Sequence, residues 1–580
     1  MAPRSVAVVP FGARPADPRG GAWARQIARR IVDRFADHPT LELKPVFLVA
    51  MGDLPTDAGY LVFGSTPDAA LAAQYGASLA ASHALSGVLR LEPSRVLELA
   101  LVDVAQKSEI ATLAHPVADG GLPDAEVAAA SWLAAALGAD PPPASAAIGE
   151  TAYAAVLEAM DDEVNATLLA ASDARRADDA RARAAARYID ALRAEPSAVA
   201  AEERLLVLAA ESLERGDERT FVGPLEALTE VVPGSWRGHY LLGELRRLTG
   251  DASGAVVAFE HSDALHPLRD ADSIRLAELY IEAGADSSAR SRLRRIRPES
   301  LEYPHAQDVL GVLAVQRGDL AEAAAALERA AASGPPDGPV LARLAQVHAA
   351  KGDLPRAVER FREAIAHGAP MDARLGLARA LVASGDAVAA AAELNALLDI
   401  ERIGETAAHA RRLLLGIERR DLETHLERAG QAAVGGPADG LAAAAAELQA
   451  VVGAQPDLWE AHFALGLIAR RTGDAEAAEA AFLRVLALWP EQPDALHELG
   501  VALLMADRTA DAVPMLDAAS RARPEDAGYL ADAGFGQLRA GNLVAARERL
   551  TIAIELDADD PITKAYLQEL ARVETAGRPN

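Results

Sequence analysis

Cysteine is absent from this chain of 580 residues. Without thiols the chain can form neither a disulfide nor a thiolate metal site, and cysteine catalysis is excluded as well. No stretch of the sequence has the length and apolarity of a membrane span. The apolar run at the amino terminus, Ser5–Phe11, is interrupted by Pro10 and is too short for the core of a signal peptide. These absences predict a cytoplasmic protein without membrane insertion.

Aromatic and basic residues are scarce. Aromatic residues make up 4% of the chain, which suits thin layers of packed helices better than a large globular core. Lysine and arginine number 57 against 85 acidic residues, which gives a net charge of −28. Because phosphate contacts need a basic footprint, this balance argues against a nucleic acid partner and favours a solvated acidic surface. The length exceeds what one core usually supports, so several domains or an elongated array are expected.

One pattern recurs three times between residues 459 and 560, at a step of 34 residues. The corresponding positions are Leu465-Gly466, Leu499-Gly500 and Ala533-Gly534; Ala478, Ala512 and Ala546; Phe482, Leu516 and Leu550; and Pro490 and Pro524. Each unit is predicted to form two helices, A and B. In the first unit the turn Thr472-Gly473-Asp474 separates them and helix B ends before Pro490. A glycine inside a helix costs about 1 kcal/mol relative to alanine. We therefore expect helix B to pack closely on Gly466, through Ala478 and Phe482.

At this spacing, Leu465, Gly466, Ala478, Phe482 and Pro490 resemble the signature of the tetratricopeptide repeat family. The resemblance implies a mostly α fold, an α-solenoid of helix pairs in a right-handed superhelix, with roughly ten to eleven units. Recurrent Gly-Asp pairs extend the pattern towards the amino terminus, because the same turn is needed in each unit. The step becomes regular from Trp236 onwards.

Residues 1 to 138 do not follow the repeat, and they predict a small α/β domain. Strands are expected at Ser5–Phe11, Leu41–Val49, Tyr60–Phe63, Ala84–Leu91, Val96–Val104 and Glu109–Val117. Helices are expected at Gly21–Ala36, Pro67–Leu79 and Asp124–Leu137.

This region resembles the TolB amino-terminal-like domain of bacterial regulators. The resemblance is carried by the run Val6–Phe11, the turn Tyr75–Ala77, the strand start Ser86–Val88 and the strand Leu99–Val104. Family members commonly have a glycine and then a tryptophan after that last strand, where this chain has Gln106, Lys107 and Ser108.

The sequence therefore divides into five parts. They are the α/β domain at 1–138, a Pro-rich linker and first helix at 139–164, a repeat array at 165–404, degenerate repeats at 405–458, and regular repeats with a C-terminal capping helix at 459–575. Within the fourth part, Gly435–Gly440 is predicted to be a flexible seam between two blocks of repeats.

The family resemblance also implies a concave groove lined by helix A, which holds a partner segment. By helical spacing, the residues predicted to face it are Phe463, Leu467, Arg470 and Arg471; His497, Val501, Leu504 and Met505; and Phe535, Leu538 and Arg539. Some family members bind a chaperone's terminal carboxylate with lysine and asparagine on this face. Phe463, Leu467, His497 and Val501 occupy those places here, which argues against that partner. Leu467 and Val501 are alternatively explained by packing against neighbouring helices.

Motifs for catalysis, metals and cofactors are missing: no His-Glu-x-x-His pattern, phosphate-binding loop or dinucleotide fingerprint occurs. His261 and His266 are predicted to be surface residues, and Gly534-Phe535-Gly536 a packing feature. Acidic pairs such as Asp161-Asp162 and Asp559-Asp560 are predicted to be solvated helix ends. The arginines between Arg290 and Arg297 are weighed as a site for an acidic peptide or phosphate, against a role in balancing surface charge.

Three functions follow from these features. The preferred one is a non-enzymatic scaffold that binds a protein or peptide segment and needs no cofactor. The alternative is a bacterial signalling or regulatory protein whose N-terminal α/β domain senses a ligand or docks on an effector. An enzyme would need a site in residues 1–138, where His83, Asp103 and His115 are the suggestive residues, although they are better explained as strand ends.

Overall fold

The computed structural model describes residues 4–46, 68–118, 121–143, 148–217 and 219–576. The chain forms two compact units, Met1–Arg292 and Leu293–Asn580. The predicted strand Tyr60–Phe63 and the end of the predicted strand Leu41–Val49 lie outside the described residues.

The α/β domain is built on one mixed sheet. Its strands are β1 (Arg4–Val8), β2 (Gly12–Arg14), β3 (Leu41–Pro45), β4 (His83–Arg90), β5 (Val96–Asp103) and β6 (Ser108–Pro116). The order across the sheet is β3-β1-β4-β5-β6, with β2 beside β4. Strands β1, β2, β3 and β4 pair in parallel, whereas β4, β5 and β6 form an antiparallel meander. The sequence does not predict β2, because three residues after a proline are too few to show an alternating pattern.

Helices α1 (Pro18–Arg34), α2 (Ala69–Ser78) and α3 (Leu122–Ala136) complete the domain. All three were expected from the sequence, within a few residues at each end. Helix α1 starts where the side chain of Asp17 accepts a hydrogen bond from the backbone N–H of Gly20 over 2.6 Å. Its apolar face, which includes Ile27 and Ile31, is buried against the sheet.

The next helix, α4 (Glu150–Leu169), belongs to two cores at once. Tyr153 and Leu157 lie in the core of the α/β domain, whereas Ala152 and Val156 lie in the core of the helices that follow. Because one rigid helix completes both cores, the α/β domain continues directly into the helical region within this compact unit.

A buried ion pair reinforces this junction. Arg25 on α1 donates from Nη2 to Asp161 on α4 over 2.7 Å, and both side chains are 7% exposed. Asp162, the adjacent carboxylate, is also buried and accepts a hydrogen bond from Arg183 over 3.2 Å. The prediction that Asp161-Asp162 is a solvated helix end is therefore wrong, because arginines brought in by tertiary packing compensate both charges in the middle of α4.

After α4 the chain continues as helices in antiparallel pairs. In the first unit these are α5 (Ala174–Ala194), α6 (Val199–Arg215), α7 (Arg219–Val231), α8 (Trp236–Leu248), α9 (Ala252–Leu265), α10 (Asp270–Glu282) and α11 (Asp286–Leu293), which ends one residue into the second unit. Helix α4 packs on α5, α6 on α7 and α8 on α9.

The second unit contains the remaining helices. They are α12 (Tyr303–Gln316), α13 (Leu320–Ser333), α14 (Gly338–Ala350), α15 (Leu354–Ala366), α16 (Asp372–Ala383), α17 (Ala387–Ile400), α18 (Glu405–Glu418), α19 (Arg420–Gly435), α20 (Leu441–Ala454), α21 (Trp459–Thr472), α22 (Ala475–Leu488), α23 (Pro493–Met505), α24 (Thr509–Ala522), α25 (Ala527–Arg539), α26 (Leu543–Leu556) and α27 (Pro561–Ala576). A short 3₁₀ turn, Ala438–Gly440, precedes α20.

The two predicted devices of the repeat are confirmed in α21 and α22. Gly473 ends α21 with a left-handed φ of 80°, and the side chain of Asp474 accepts a hydrogen bond from the N–H of Ala477 over 3.0 Å to cap α22. A Cβ atom at Gly466 would lie 2.5 Å from Cε1 of Phe482. Glycine is therefore required there because the ring of Phe482 occupies the space that a side chain would fill.

The degenerate segment 405–458 contains three helices. Helix α18 is not followed by a partner helix of its own repeat, whereas α19 and α20 form a helix pair. Only Arg419 separates α18 from α19. The predicted seam, Gly435–Gly440, covers the end of α19 and the turn to α20. One apolar cluster continues across it, from Leu415 to Ala533. The start of α18 is held by the last residue of α22, since the N–H of Gly404 donates to the carbonyl oxygen of Leu488 over 2.9 Å.

Helix α27 closes the carboxyl end of the described chain, as predicted. It buries Thr563 and Leu570 and exposes polar side chains such as Lys564 and Arg572 on its outer face. The carboxylate of Asp560 accepts a hydrogen bond from the N–H of Thr563 over 2.7 Å at the start of this helix. The prediction for Asp559-Asp560, a solvated helix end, is confirmed.

Candidate binding sites on the helix A face

Successive A helices lie side by side and are joined by polar side chains about one repeat apart. The hydroxyl of Tyr240 on α8 donates to Asp272 on α10 over 2.9 Å, and the hydroxyl of Tyr529 on α25 donates to Asp494 on α23 over 2.6 Å. We call the surface made by consecutive A helices within one unit the helix A face.

One cavity on this face lies in the first unit. It has a volume of about 690 Å³ and is bounded by α6, α8 and the segment that leads into α10. Its walls are mainly apolar and include Leu206, Val207, Trp236, Tyr240 and Leu241. The side chain of Val207 is exposed, with a relative accessibility of 41%. The cavity thus offers water-accessible apolar surface of the kind that binds apolar side chains.

Two charged groups at the edge of this cavity, Asp272 and Arg269, are already paired with each other. Asp272 is buried and accepts hydrogen bonds from Tyr240 and from Arg269 Nε over 2.9 Å. Burial and the carboxylate of Asp272 both raise the pKa of the Tyr240 hydroxyl, which therefore stays a donor at neutral pH. Because these partners satisfy one another, the cavity presents its apolar walls to a ligand.

A second cavity, of about 430 Å³, contains two residues of the predicted groove. Phe463 and Leu467 line it, together with residues of α18 and α19. Phe463 is half-buried and lies 5.7 Å from Phe482, measured between ring centroids. Leu467 is 8% exposed and packs in the core, which agrees with the alternative prediction that it packs against neighbouring helices.

The other predicted groove residues of α21 are occupied within the protein. Arg470 forms an ion pair with Glu498 on α23 over 2.8 Å. Arg471 donates hydrogen bonds to carbonyl oxygens at the end of α19, among them that of Gly436 over 2.6 Å. Both guanidinium groups therefore connect neighbouring helices.

The predicted groove residues of α23 are divided between the interior and the surface. His497 stacks on Tyr529 at 4.3 Å and contacts Asp532 over 2.9 Å. Val501 is half-buried and Leu504 is 8% exposed. Met505 is 78% exposed, so it is the residue of this helix that is most available to a partner.

The three predicted groove residues of α25 mostly contact neighbouring elements. Phe535 stacks on Tyr566 of the capping helix at 4.3 Å, and Leu538 is buried. Arg539 pairs with Asp507 over 2.6 Å. The eleven predicted residues thus do not form one continuous open floor, and the part that lines a cavity is at Phe463.

The sequence analysis missed the cavity of the first unit. Its signal was present, since Trp236 and Tyr240 are four residues apart at the start of the first regular repeat. The exposed apolar residue opposite them, Val207, belongs to a less regular unit, so its position could not be assigned by counting.

His261 and His266 are exposed, as predicted, and His266 also lines the cavity of the first unit, where its ring stacks on that of Trp236 at 4.4 Å. Gly534 packs on Leu550, also as predicted. His83 starts β4 and lies opposite Asp103, which ends β5, and His115 is next to the end of β6. Two of the clustered arginines form ion pairs, Arg292 with Asp263 and Arg294 with Glu322, each over 2.5 Å.

Comparison with known proteins supports the repeat. The family model of the tetratricopeptide repeat matches residues 314–370 and 438–493. The fold is therefore an α-solenoid of tetratricopeptide helix pairs preceded by a small α/β domain. The resemblance of that domain to TolB is not confirmed. A search of curated proteins finds no match.

Several solved structures are similar over part of the chain. A tetratricopeptide repeat protein from Parabacteroides merdae is 13% identical, with 52% of this chain and 98% of that chain covered and a TM-score of 0.31. PilF from Pseudomonas aeruginosa is 17% identical, with 34% and 90% covered and a TM-score of 0.29. These scores are too low to carry an argument about function. In the described part of the chain, no helix is long and apolar enough to cross a membrane.

Proposed function

We propose that this protein is a non-enzymatic interaction scaffold that holds a segment of a partner protein on its helix A face. Tetratricopeptide repeats generally serve protein interactions, because stacked helix pairs create extended concave surfaces. The net charge of −28 supports a protein rather than a nucleic acid as the partner.

The observation that carries the proposal is the cavity of the first unit. Its apolar walls and the exposed side chain of Val207 provide a place for one or two apolar residues of a partner, such as those on one side of an amphipathic helix. Edge groups such as Glu203 and Arg237 are positioned to contact polar residues beside that anchor.

The predicted groove at residues 459–560 remains part of the proposal as a second contact region. Phe463 and Met505 are its accessible apolar residues. We expect Phe463→Ala to be a better test than Phe535→Ala, since Phe535 stacks on Tyr566 and its loss would loosen the capping helix.

Photocrosslinking from within the cavity tests the proposal. A benzophenone amino acid is placed at Val207, or as a control at Val257 on α9, a similarly exposed valine on a B helix. We expect crosslinks in cells to a discrete protein from Val207 and none to that protein from Val257. Equal crosslinking from both positions, or none from Val207, would contradict the proposal.

The alternative is a regulatory protein in which the α/β domain senses a ligand or docks on an effector. It is favoured by the shared helix α4, because a change at the sheet could reach the array through Tyr153 and Leu157. A fragment of residues 1–292, the first compact unit, retains both residues and the helices that complete the second core of α4, so it is the suitable protein for a ligand screen. Absence of any specific ligand or effector for this folded fragment would count against the alternative.

A further inference from the structure

The cavity on the second unit is bounded by α18, α19 and α21 and encloses about 430 Å³. Leu426, Val434 and Phe463 provide its apolar walls. Val434 is 74% exposed and is therefore accessible to a ligand. Such walls are suited to the hydrocarbon part of a long side chain.

Acidic groups outnumber basic ones in this cavity. The guanidinium of Arg412 lies 2.9 Å from Glu423, 3.1 Å from Glu427 and 3.9 Å from Glu460. Of these acids, Glu427 and Glu460 line the cavity, so two carboxylates beside one guanidinium leave a formal charge of −1 there when both are ionised. Glu427, with its side chain 60% exposed, is the acid most open to a ligand.

Two residues of α21 that line this cavity each carry a polar atom with no hydrogen-bond partner among the described residues. These atoms are the indole Nε1 of Trp459 and Oε2 of Glu460, both buried. Burial raises the pKa of Glu460 to about 7, so the carboxyl is incompletely compensated by Arg412. An additional cation would compensate this carboxylate.

We propose that this cavity receives a lysine or arginine side chain of the partner segment. The hydrocarbon stem would lie along Leu426, Val434 and Phe463, and the cationic group would reach Glu427 and Glu460. This inference rests on the scaffold function and adds the chemical class of one anchor residue.

Charge complementarity decides in favour of a cation. An anionic side chain would meet the excess carboxylates, and a purely apolar one would leave them uncompensated. Arg412 does not fill the role, because Glu423 and Glu427 already hold its guanidinium. The net charge of −28 also attracts basic segments at long range.

Fluorine NMR can test this site in the full-length protein. The five tryptophans are replaced with 5-fluorotryptophan, and the Trp459→Phe variant assigns the signal of Trp459. The probe is the blocked peptide acetyl-Ala-Leu-Arg-Leu-amide. Its control contains citrulline, a neutral isostere of arginine, in place of the arginine.

We expect the arginine peptide to shift the Trp459 signal saturably and the citrulline peptide to bind at least about tenfold more weakly, as loss of a charge-assisted hydrogen bond predicts. The double variant Glu427→Gln/Glu460→Gln should weaken the arginine peptide about tenfold as well. Glu548→Gln, an exposed acid on α26, should leave binding unchanged.

Equal affinities for the two peptides, no shift at Trp459, or full binding by the double variant would each overturn the cation site. These outcomes would leave the scaffold function standing, since crosslinking at Val207 tests that function independently in the other unit.

Discussion

Arg471 on α21 caps the end of a different helix, because its Nη2 donates a hydrogen bond to the carbonyl oxygen of Gly436 over 2.6 Å. Its Nη1 also donates to the carbonyl oxygens of Ala432 and Ala433, over 3.0 and 2.8 Å. The last carbonyl groups of a helix lack partners within it and carry partial negative charge. The carbonyl of Ala432 also accepts from the N–H of Gly436, so the guanidinium adds a second bond there, satisfies the carbonyls of Ala433 and Gly436, and fixes the turn between α19 and α20.

We predict that Arg471→Ala loosens this turn. The loss of several charge-assisted hydrogen bonds should destabilise the second unit by about 2 kcal/mol. Hydrogen exchange of the amides between residues 436 and 445 should accelerate most. Arg572→Ala, at an arginine 81% exposed on α27, is the control and should change neither quantity. Unchanged exchange around Gly436 in Arg471→Ala would disprove the capping role.

Close packing at Gly466 gives a second prediction. Gly466→Ala places a Cβ atom against the ring of Phe482 and should destabilise the second unit by about 2 kcal/mol. Gly453→Ala is the matched control, because no atom lies within 4 Å of the added Cβ in α20 and helix propensity favours alanine by about 1 kcal/mol. Opposite shifts in urea denaturation midpoints are expected. Stabilisation by Gly466→Ala would refute the packing argument.

The buried ion pair between Arg25 and Asp161 gives a third prediction. Asp161→Asn leaves a buried guanidinium without its counter-charge, and we expect a loss of about 3 kcal/mol in the stability of the first unit. Asp190→Asn, which affects an ion pair whose side chains are 59% and 64% exposed, should cost less than about 1 kcal/mol. Thermal unfolding of residues 1–292, the first compact unit, compares the two. Similar melting temperatures would contradict the structural role of α4.

The pH dependence of stability gives a fourth prediction, at Glu460. Its pKa is about 7 in the folded protein against 4.5 for the free side chain. The folded state therefore keeps a proton that the unfolded state loses above pH 4.5, so this stabilisation is present below that pH and is lost as the pH rises through 7. Glu460→Gln cannot ionise and should gain on the order of 2 kcal/mol relative to the wild type between pH 5 and pH 8. A difference in unfolding free energy that is independent of pH would exclude a raised pKa.

Local sequence patterns predicted the helices, strands and turns of this fold better than they predicted which of these elements pack against one another. Gly473-Asp474 and Gly466 identify a turn and a close contact because the physical requirement lies within one repeat. Asp161 and Arg471 could not be assigned, since their partners are 136 and 35 residues away. Helical spacing shows which way Leu467 points, but it does not show that another helix covers that direction.

The same physical reason explains why the sequence pointed to one cavity and not to the other. Phe463 could be predicted because the regular repeat fixes its position on helix A. The cavity around Val207 depends on how α6 approaches α8, and a less regular repeat does not encode that distance in its spacing.

The most direct test of the scaffold function uses the partner protein that crosslinking from Val207 identifies. Its affinity is measured for three forms of the full chain. Isothermal titration calorimetry would compare the wild type with Val207→Asp and with the control Val257→Asp, after circular dichroism has shown that all three are folded. A carboxylate placed among Leu206, Trp236 and Leu241 should weaken binding at least about tenfold, because the bound segment would bury it unpaired. The control should stay within about twofold of the wild type. Wild-type affinity in folded Val207→Asp would contradict the account.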